Sequence, residues 1–151
     1  MKTAVAAIVV LGVNLGGAAY AQEKEKRIQS KDLPPAVQEA LKEHSKGATV
    51  VGYAREVEAG VTPYEAEMKV GNRTKDVTFD PNGNLLSVEE ETTLDSIPAP
   101  ARDAIRKVVG KRKLLLVETV SEKGATFYEA HYKSGLRTKE VKVDAAGNTV
   151  K

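Results

Sequence analysis

The 151-residue sequence contains no cysteine and no tryptophan, only two histidines, and aromatic residues at 5%. Without cysteine there is no disulfide staple, no thiolate nucleophile and no thiolate metal ligand. With His44 and His131 as its only imidazoles, the chain is not expected to build a transition-metal site from several protein ligands, and no metal or cofactor is assigned. Charge of one sign is also missing. The 23 Lys and Arg against 21 Asp and Glu leave a net +2, interspersed along the chain, which excludes the basic face of a nucleic-acid binder. Nor does any apolar run reach the roughly 20 residues of a membrane span. Met1-Lys2, the short apolar segment Ala4 to Leu15 and the small residues ending Ala19-Tyr20-Ala21 instead have the layout of a secretory signal peptide, residues 1–21, cleaved after Ala21. A cysteine-free exported chain points to a periplasmic or secreted bacterial protein, with no membrane insertion after cleavage.

What the sequence does have is a repeat. Thr62 to Asn84 returns as Thr126 to Asn148 at an ungapped offset of 64, and the match extends outward from Leu33-Pro34 with Ile97-Pro98 to Leu86 with Val150. About 17 identities in about 55 aligned pairs mark a duplicated structural unit. The organisation expected is a flexible lead-in at 22–31, a first repeat at 32–91 and a second at 92–151. A unit of about 60 residues buries too little surface to be stable alone, so the copies should pack together.

Each copy reads in the same order. Prolines open a helix at Leu33-Pro34-Pro35 and Ile97-Pro98, where the first turn tolerates them, and Asp95-Ser96 offers a capping oxygen to the second. Val37, Ala40, Leu41 and His44, then Ala101, Ala104, Ile105 and Val108, form one apolar stripe per helix. A β run and a Gly turn follow, at Ala59-Gly60 and at Lys123-Gly124. The next strand alternates, with Tyr64, Ala66, Met68 and Val70 against Glu65, Glu67 and Lys69, and its copy does the same. A two-residue hairpin at Gly71-Asn72 pairs Val70 with Arg73, Ala66 with Val77 and Tyr64 with Phe79; the copy pairs Ala130 with Val141 and Tyr128 with Val143. Asp80-Pro81-Asn82-Gly83-Asn84 and Asp144 to Asn148 turn into a fourth strand. Glu89 to Asp95 reads as the linker. The fold class expected is α+β: two tandem helix-plus-antiparallel-meander units (α-β-β-β-β repeated), their sheets joined into one curved surface with helices on one side.

Asp80, Asn82, Asn84 and Glu91 match a calcium-loop spacing in part, but position 6 is Leu85 where such a loop needs Gly, so turn chemistry is the better account. His44 reads as a core-edge residue. Arg73 to Lys75 and Arg137 to Lys139 suggest an anion site or, more simply, protection of a sheet edge. No nucleophile elbow occurs and no carboxylate has a visible cause for a shifted pKa, so no catalytic residue is assigned and the chain is not read as an enzyme.

The order L-P, helix, strand, Gly turn, Y-E-A, hairpin, V-x-F/V-D-x-x-G-N, present twice over Leu33 to Lys151, resembles the bacterial PepSY-like family, which is also described as similar to the β-lactamase inhibitor protein. The resemblance implies an exported, non-enzymatic module, in relatives linked to inhibiting or chaperoning a protease or binding another protein, whose two units form one concave gripping sheet. No binding residues transfer by motif, and the inhibitor's cysteines and aromatic-rich face are missing here. The function expected is therefore binding or inhibition of a protein or peptide partner through the exposed sheet face, with Arg55, Glu65, Glu67, Lys69, Glu129, His131 and Lys133 as candidate partner-binding residues. The alternative is an envelope sensor or binder of a small ligand or ion, calcium or an anion.

Overall fold

Two helix openings and the strand runs of the two copies account for most of the architecture. A computed structural model, which describes residues 26–56 and 62–150, runs β1 (Lys26–Ile28), a 3-10 turn (Ser30–Asp32), α1 (Pro35–His44), β2 (Thr49–Arg55), β3 (Tyr64–Val70), β4 (Arg73–Phe79), β5 (Leu85–Glu91), α2 (Ala99–Val109), β6 (Leu114–Glu122), β7 (Ala125–Ser134), β8 (Arg137–Asp144) and β9 (Thr149–Val150). The signal-peptide assignment and the Ala59-Gly60 turn lie outside the described residues. Among the described residues, no helix is long and apolar enough to cross a membrane.

All nine strands form one antiparallel sheet whose spatial order is the chain order. The hairpin registers are those expected: Tyr64 opposite Phe79, Ala66 opposite Val77, Val70 opposite Arg73, and in the copy Tyr128 opposite Val143 and Ala130 opposite Val141. Pairing of β5 with β6, Ser87 to Glu91 against Glu118 to Glu122, makes the sheet continuous between the halves.

Both helices lie on one sheet face. Val37 and Leu41 of α1 pack with Ala66, Met68, Val77 and Phe79, and Ala101, Ile105 and Val109 of α2 pack with Val117, Ala130, Val141 and Val143. His44 sits at the edge of the first cluster, its ring edge-on to Phe79 at 5.4 Å between centroids.

Three expectations need correction. The lead-in expected to be flexible pairs as β1 with β2, Lys26 to Ile28 opposite Arg55 to Tyr53, because an unpaired β2 edge offers backbone partners whatever the side chains are. The stretch Glu89 to Asp95 is not all linker: Glu89, Glu90 and Glu91 complete β5, since pairing with β6 outweighs a run of acids. And α2 takes Pro98 as its N-cap without a side-chain bond; Ser96 bonds Thr93 instead and Asp95 accepts from Arg106.

Each helix is seated on a turn of its own half. Asp80 Oδ1 accepts from the N–H groups of Asn82 and Asn84, and Asp144 Oδ1 from those of Ala146 and Asn148. The turns place Gly83 and Gly147 at φ +81° and +85°, where a Cβ would come within 2.6 Å of the carbonyl oxygens of Ala36 and Pro100 in the first helical turns. Gly83→Ala and Gly147→Ala are each expected to lower stability by about 1–3 kcal/mol in urea denaturation. Gly71→Ala, at φ +61° with open space around it, should show the smaller backbone penalty alone, on the order of 1 kcal/mol. Equal losses at Gly71 and Gly83 would rule out the helix contact as the cause.

Candidate functional site

Strand alternation sends every second side chain to the face away from the helices. Across that face the register lines up Glu67 with Asp76, Asp76 with Glu89, and Glu89 with Val120; one step along, Glu118 stands opposite Glu129, and Glu129 opposite Lys142. Directly opposed like charges are unfavourable on a sheet. The strain is relieved by protons. Burial, reinforced by the negative charges of Glu118 and Glu67, raises the Asp76 carboxyl to about 7. Burial, with Glu118, Glu129, Glu65 and Asp76 around it, raises Glu89 to about 9. Glu140 is shifted upward for the same reasons, desolvation first and then Glu129.

The centre of the face is a buried triad. His131 is 1% exposed, Glu118 1% and Glu129 2%. The imidazole Nε2 lies 3.1 Å from Glu118 Oε2 and 3.1 Å from Glu129 Oε1. One N–H cannot serve both oxygens; it is directed at Glu118, and Glu129 Oε1 is left buried without a hydrogen bond. Burial alone would lower the imidazole pKa, but the hydrogen bond to Glu118 and the close contact with Glu129, together with the charges of both, overcome it and raise His131 to about 10. At neutral pH the triad therefore holds an imidazolium between two acids.

Towards the margins the face becomes accessible and its charges pair. Arg27 reaches over Gly52 to form an ion pair with Glu67, the space for it existing because Gly52 has no Cβ. Lys142 pairs with Glu122 at 3.0 Å and lies over the Phe127 ring.

The candidate residues thus divide. Glu65, Glu67 and Lys69 share β3 and are half-buried, and Lys133 is exposed and donates to Thr138 Oγ1. Glu129 and His131 belong to the same face but are not solvent-exposed as expected. Strands on both sides flank β7, and Val120 opposite Phe127 adds apolar cover on this face. Arg55 is not on this face. It stands opposite Tyr64, in phase with Tyr53, which packs against the first core cluster, because the register of β2 was not fixed by any readable turn and a one-residue slip exchanges the faces.

Sequence reading missed Asp76, Glu89 and Glu118. The one available signal was Glu118 inside L-L-L-V-E-T-V, an acid in an otherwise apolar strand. The calcium-like spacing does not assemble a site: Asp80 spends its oxygens on Asn82 and Asn84, while Glu91 accepts from Thr74 on the far side of the hairpin. The first Arg-Thr-Lys segment is likewise occupied, with Thr74 bound to Glu91 and Lys75 3.4 Å from Glu90.

A family model described as "Putative beta-lactamase-inhibitor-like, PepSY-like" matches the sequence twice, over residues 19–87 and 62–151. No curated protein sequence matches the chain. Among solved structures, a "putative periplasmic" protein from Bacteroides eggerthii is similar with a TM-score of 0.63 and 18% identity, over 79% of this chain and 86% of that one. A BLIP-like protein from Bacteroides fragilis is similar with a TM-score of 0.57 and 21% identity, over 79% of this chain and 84% of that one. These likenesses support the fold. The doubled family match, together with a helix-plus-four-strand order that occurs twice in one sheet, places the chain in the PepSY-like, β-lactamase-inhibitor-like family.

Proposed function

We propose that this chain is a non-enzymatic binding module of the bacterial periplasm. It holds a protein or peptide partner across the helix-free face of its sheet, bent into one gripping surface by the two repeats. The observation that carries this reading is the concentration of carboxylates on that face in a chain whose net charge is +2. Glu65, Glu67, Asp76, Glu89, Glu118, Glu129 and Glu140 all fall there by register. Such a field selects a Lys- or Arg-rich segment and steers its approach. Glu65, Glu67, Lys69 and Lys133 are the accessible contacts; Asp76, Glu89 and Glu140, which hold their protons to higher pH, add to the field as the pH rises. The family description as inhibitor-like supports a partner that is itself an enzyme, blocked by occupation of its surface.

The test is binding of fluorescent peptides of matched length, one basic, one neutral and one acidic, read by anisotropy. The basic peptide is expected to bind, to weaken at least about tenfold between 50 and 300 mM salt, and to lose binding to Glu65→Lys/Glu67→Lys. Equal binding of the acidic peptide, or indifference to the double charge reversal, would overturn the reading.

A further inference from the structure

We propose that Glu118, Glu129 and His131 form a binding site for one divalent transition-metal ion of the zinc class at the centre of the helix-free face. The three side chains come from adjacent strands held in register, Glu118 opposite Glu129 and His131 two residues along β7 on the same side. Their donor atoms lie within 4.8 Å of one another, and the imidazole nitrogen is 3.1 Å from each carboxylate oxygen. Metal–ligand bonds of about 2.0–2.1 Å in a tetrahedral zinc site separate neighbouring ligands by roughly 3.3 Å, so an ion fits between these atoms with small rotamer adjustments.

The second observation is the orphaned oxygen. Glu129 Oε1 is buried, lies 3.1 Å from His131 Nε2 and has no hydrogen bond, because the one proton on Nε2 is directed at Glu118. A buried carboxylate oxygen is rarely left without a partner. A cation between the three groups satisfies both carboxylates and the nitrogen at once, which one proton cannot do. Glu89, also buried on this face, has an unpartnered Oε2.

The donor set selects the ion. One imidazole and two carboxylates suit zinc and its first-row neighbours. Calcium needs six to eight oxygens, and magnesium keeps several waters in an octahedral shell, neither of which a buried three-ligand site with a nitrogen donor provides. Three protein ligands leave one tetrahedral position for a water molecule. The site does not depend on the peptide-binding reading: a chain that binds zinc and no basic peptide keeps this inference and loses the other.

The experiment uses the full chain after treatment with a chelator and its removal, titrated with zinc chloride by calorimetry and by thermal melting. One zinc per chain is expected, with a melting temperature raised by several degrees at a hundred-fold excess over Kd; millimolar calcium or magnesium should give no rise. Glu129→Gln preserves shape and is expected to weaken zinc at least tenfold, whereas His44→Ala, which changes the other imidazole, should leave zinc binding intact. Failure of the wild type to bind zinc, undiminished binding by Glu129→Gln, or an equal response to calcium would overturn the proposal. Anomalous diffraction from zinc-soaked wild-type crystals gives a readout that needs no variant. A peak between the three donor atoms supports the site, and its absence there overturns it.

Discussion

His131→Ala is expected to lose about 3–5 kcal/mol of stability in urea denaturation, measured in chelator, because it strips the positive partner from two buried carboxylates. Glu118 and Glu129 are directly opposite each other and nearly inaccessible. With the imidazole gone, their mutual repulsion and their desolvation are both uncompensated. Replacing all three by leucine should cost far less than the single change, or even stabilise, since apolar residues of similar volume do not pay for desolvation. A loss below about 1 kcal/mol in His131→Ala would mean that water reaches the triad and that the burial argument is wrong.

The melting temperature of the metal-free protein is expected to fall as pH rises from 5 to 9, by on the order of 10 °C. The sign follows from four groups whose folded pKa is raised, Glu140 among them. Glu89 moves from 4.5 to about 9, Asp76 from 3.8 to about 7, and His131 from 6.5 to about 10. In each case the folded chain keeps a proton that the unfolded chain has released. The stabilisation is complete below the unfolded values and is lost as pH climbs through the folded ones. Glu118, Glu129, Glu65 and Asp76 surround Glu89, and Glu67, Glu118 and Lys69 act on Asp76. Asp80 and Asp144 run the other way. Hydrogen bonds, first from the Asn84 and Asn148 side chains, lower their pKa, so their contribution is lost as pH falls below about 4. Stability should therefore peak near pH 5. Glu89→Gln, the neutral isostere, should flatten the alkaline slope, and a wild-type profile level between pH 5 and 9 would contradict the raised values.

The hairpins were legible in the sequence because two signals coincided in each copy. The alternation of Tyr, Ala and Met fixed the faces, and a Gly turn fixed the register. The helices were legible from Leu33-Pro34 and Ile97-Pro98 and one apolar stripe each. What escaped was everything that depends on pairing between segments far apart in sequence. β1 has three residues, and what defines it is the open edge of β2, the Arg27–Glu67 ion pair and the packing of Ile28 on the first core cluster, all contacts distant in sequence. β2 and β6 each carry a bulge, at Val50/Gly52 and at Leu114/Leu116, 64 residues apart, which the apolar runs Val50-Val51 and Leu114 to Leu116 conceal. The acidic face escaped for the same reason. Glu89 and Glu118 become neighbours only through the β5–β6 pairing, and no local pattern encodes the register of two strands separated by a helix.

The chain-ordered sheet sets how such a molecule can assemble. Most strands meet a partner across a tight turn, whereas β1 must find β2 across residues 29–48 and β5 must find β6 across residues 92–113. Those two closures carry the main loop entropy of the β pairing. The second one also brings the carboxylates of β4 and β5 beside those of β6 and β7. Parting of the two halves and dispersal of their shared charge are thus a single event, and whatever neutralises that charge acts as a clasp between the repeats.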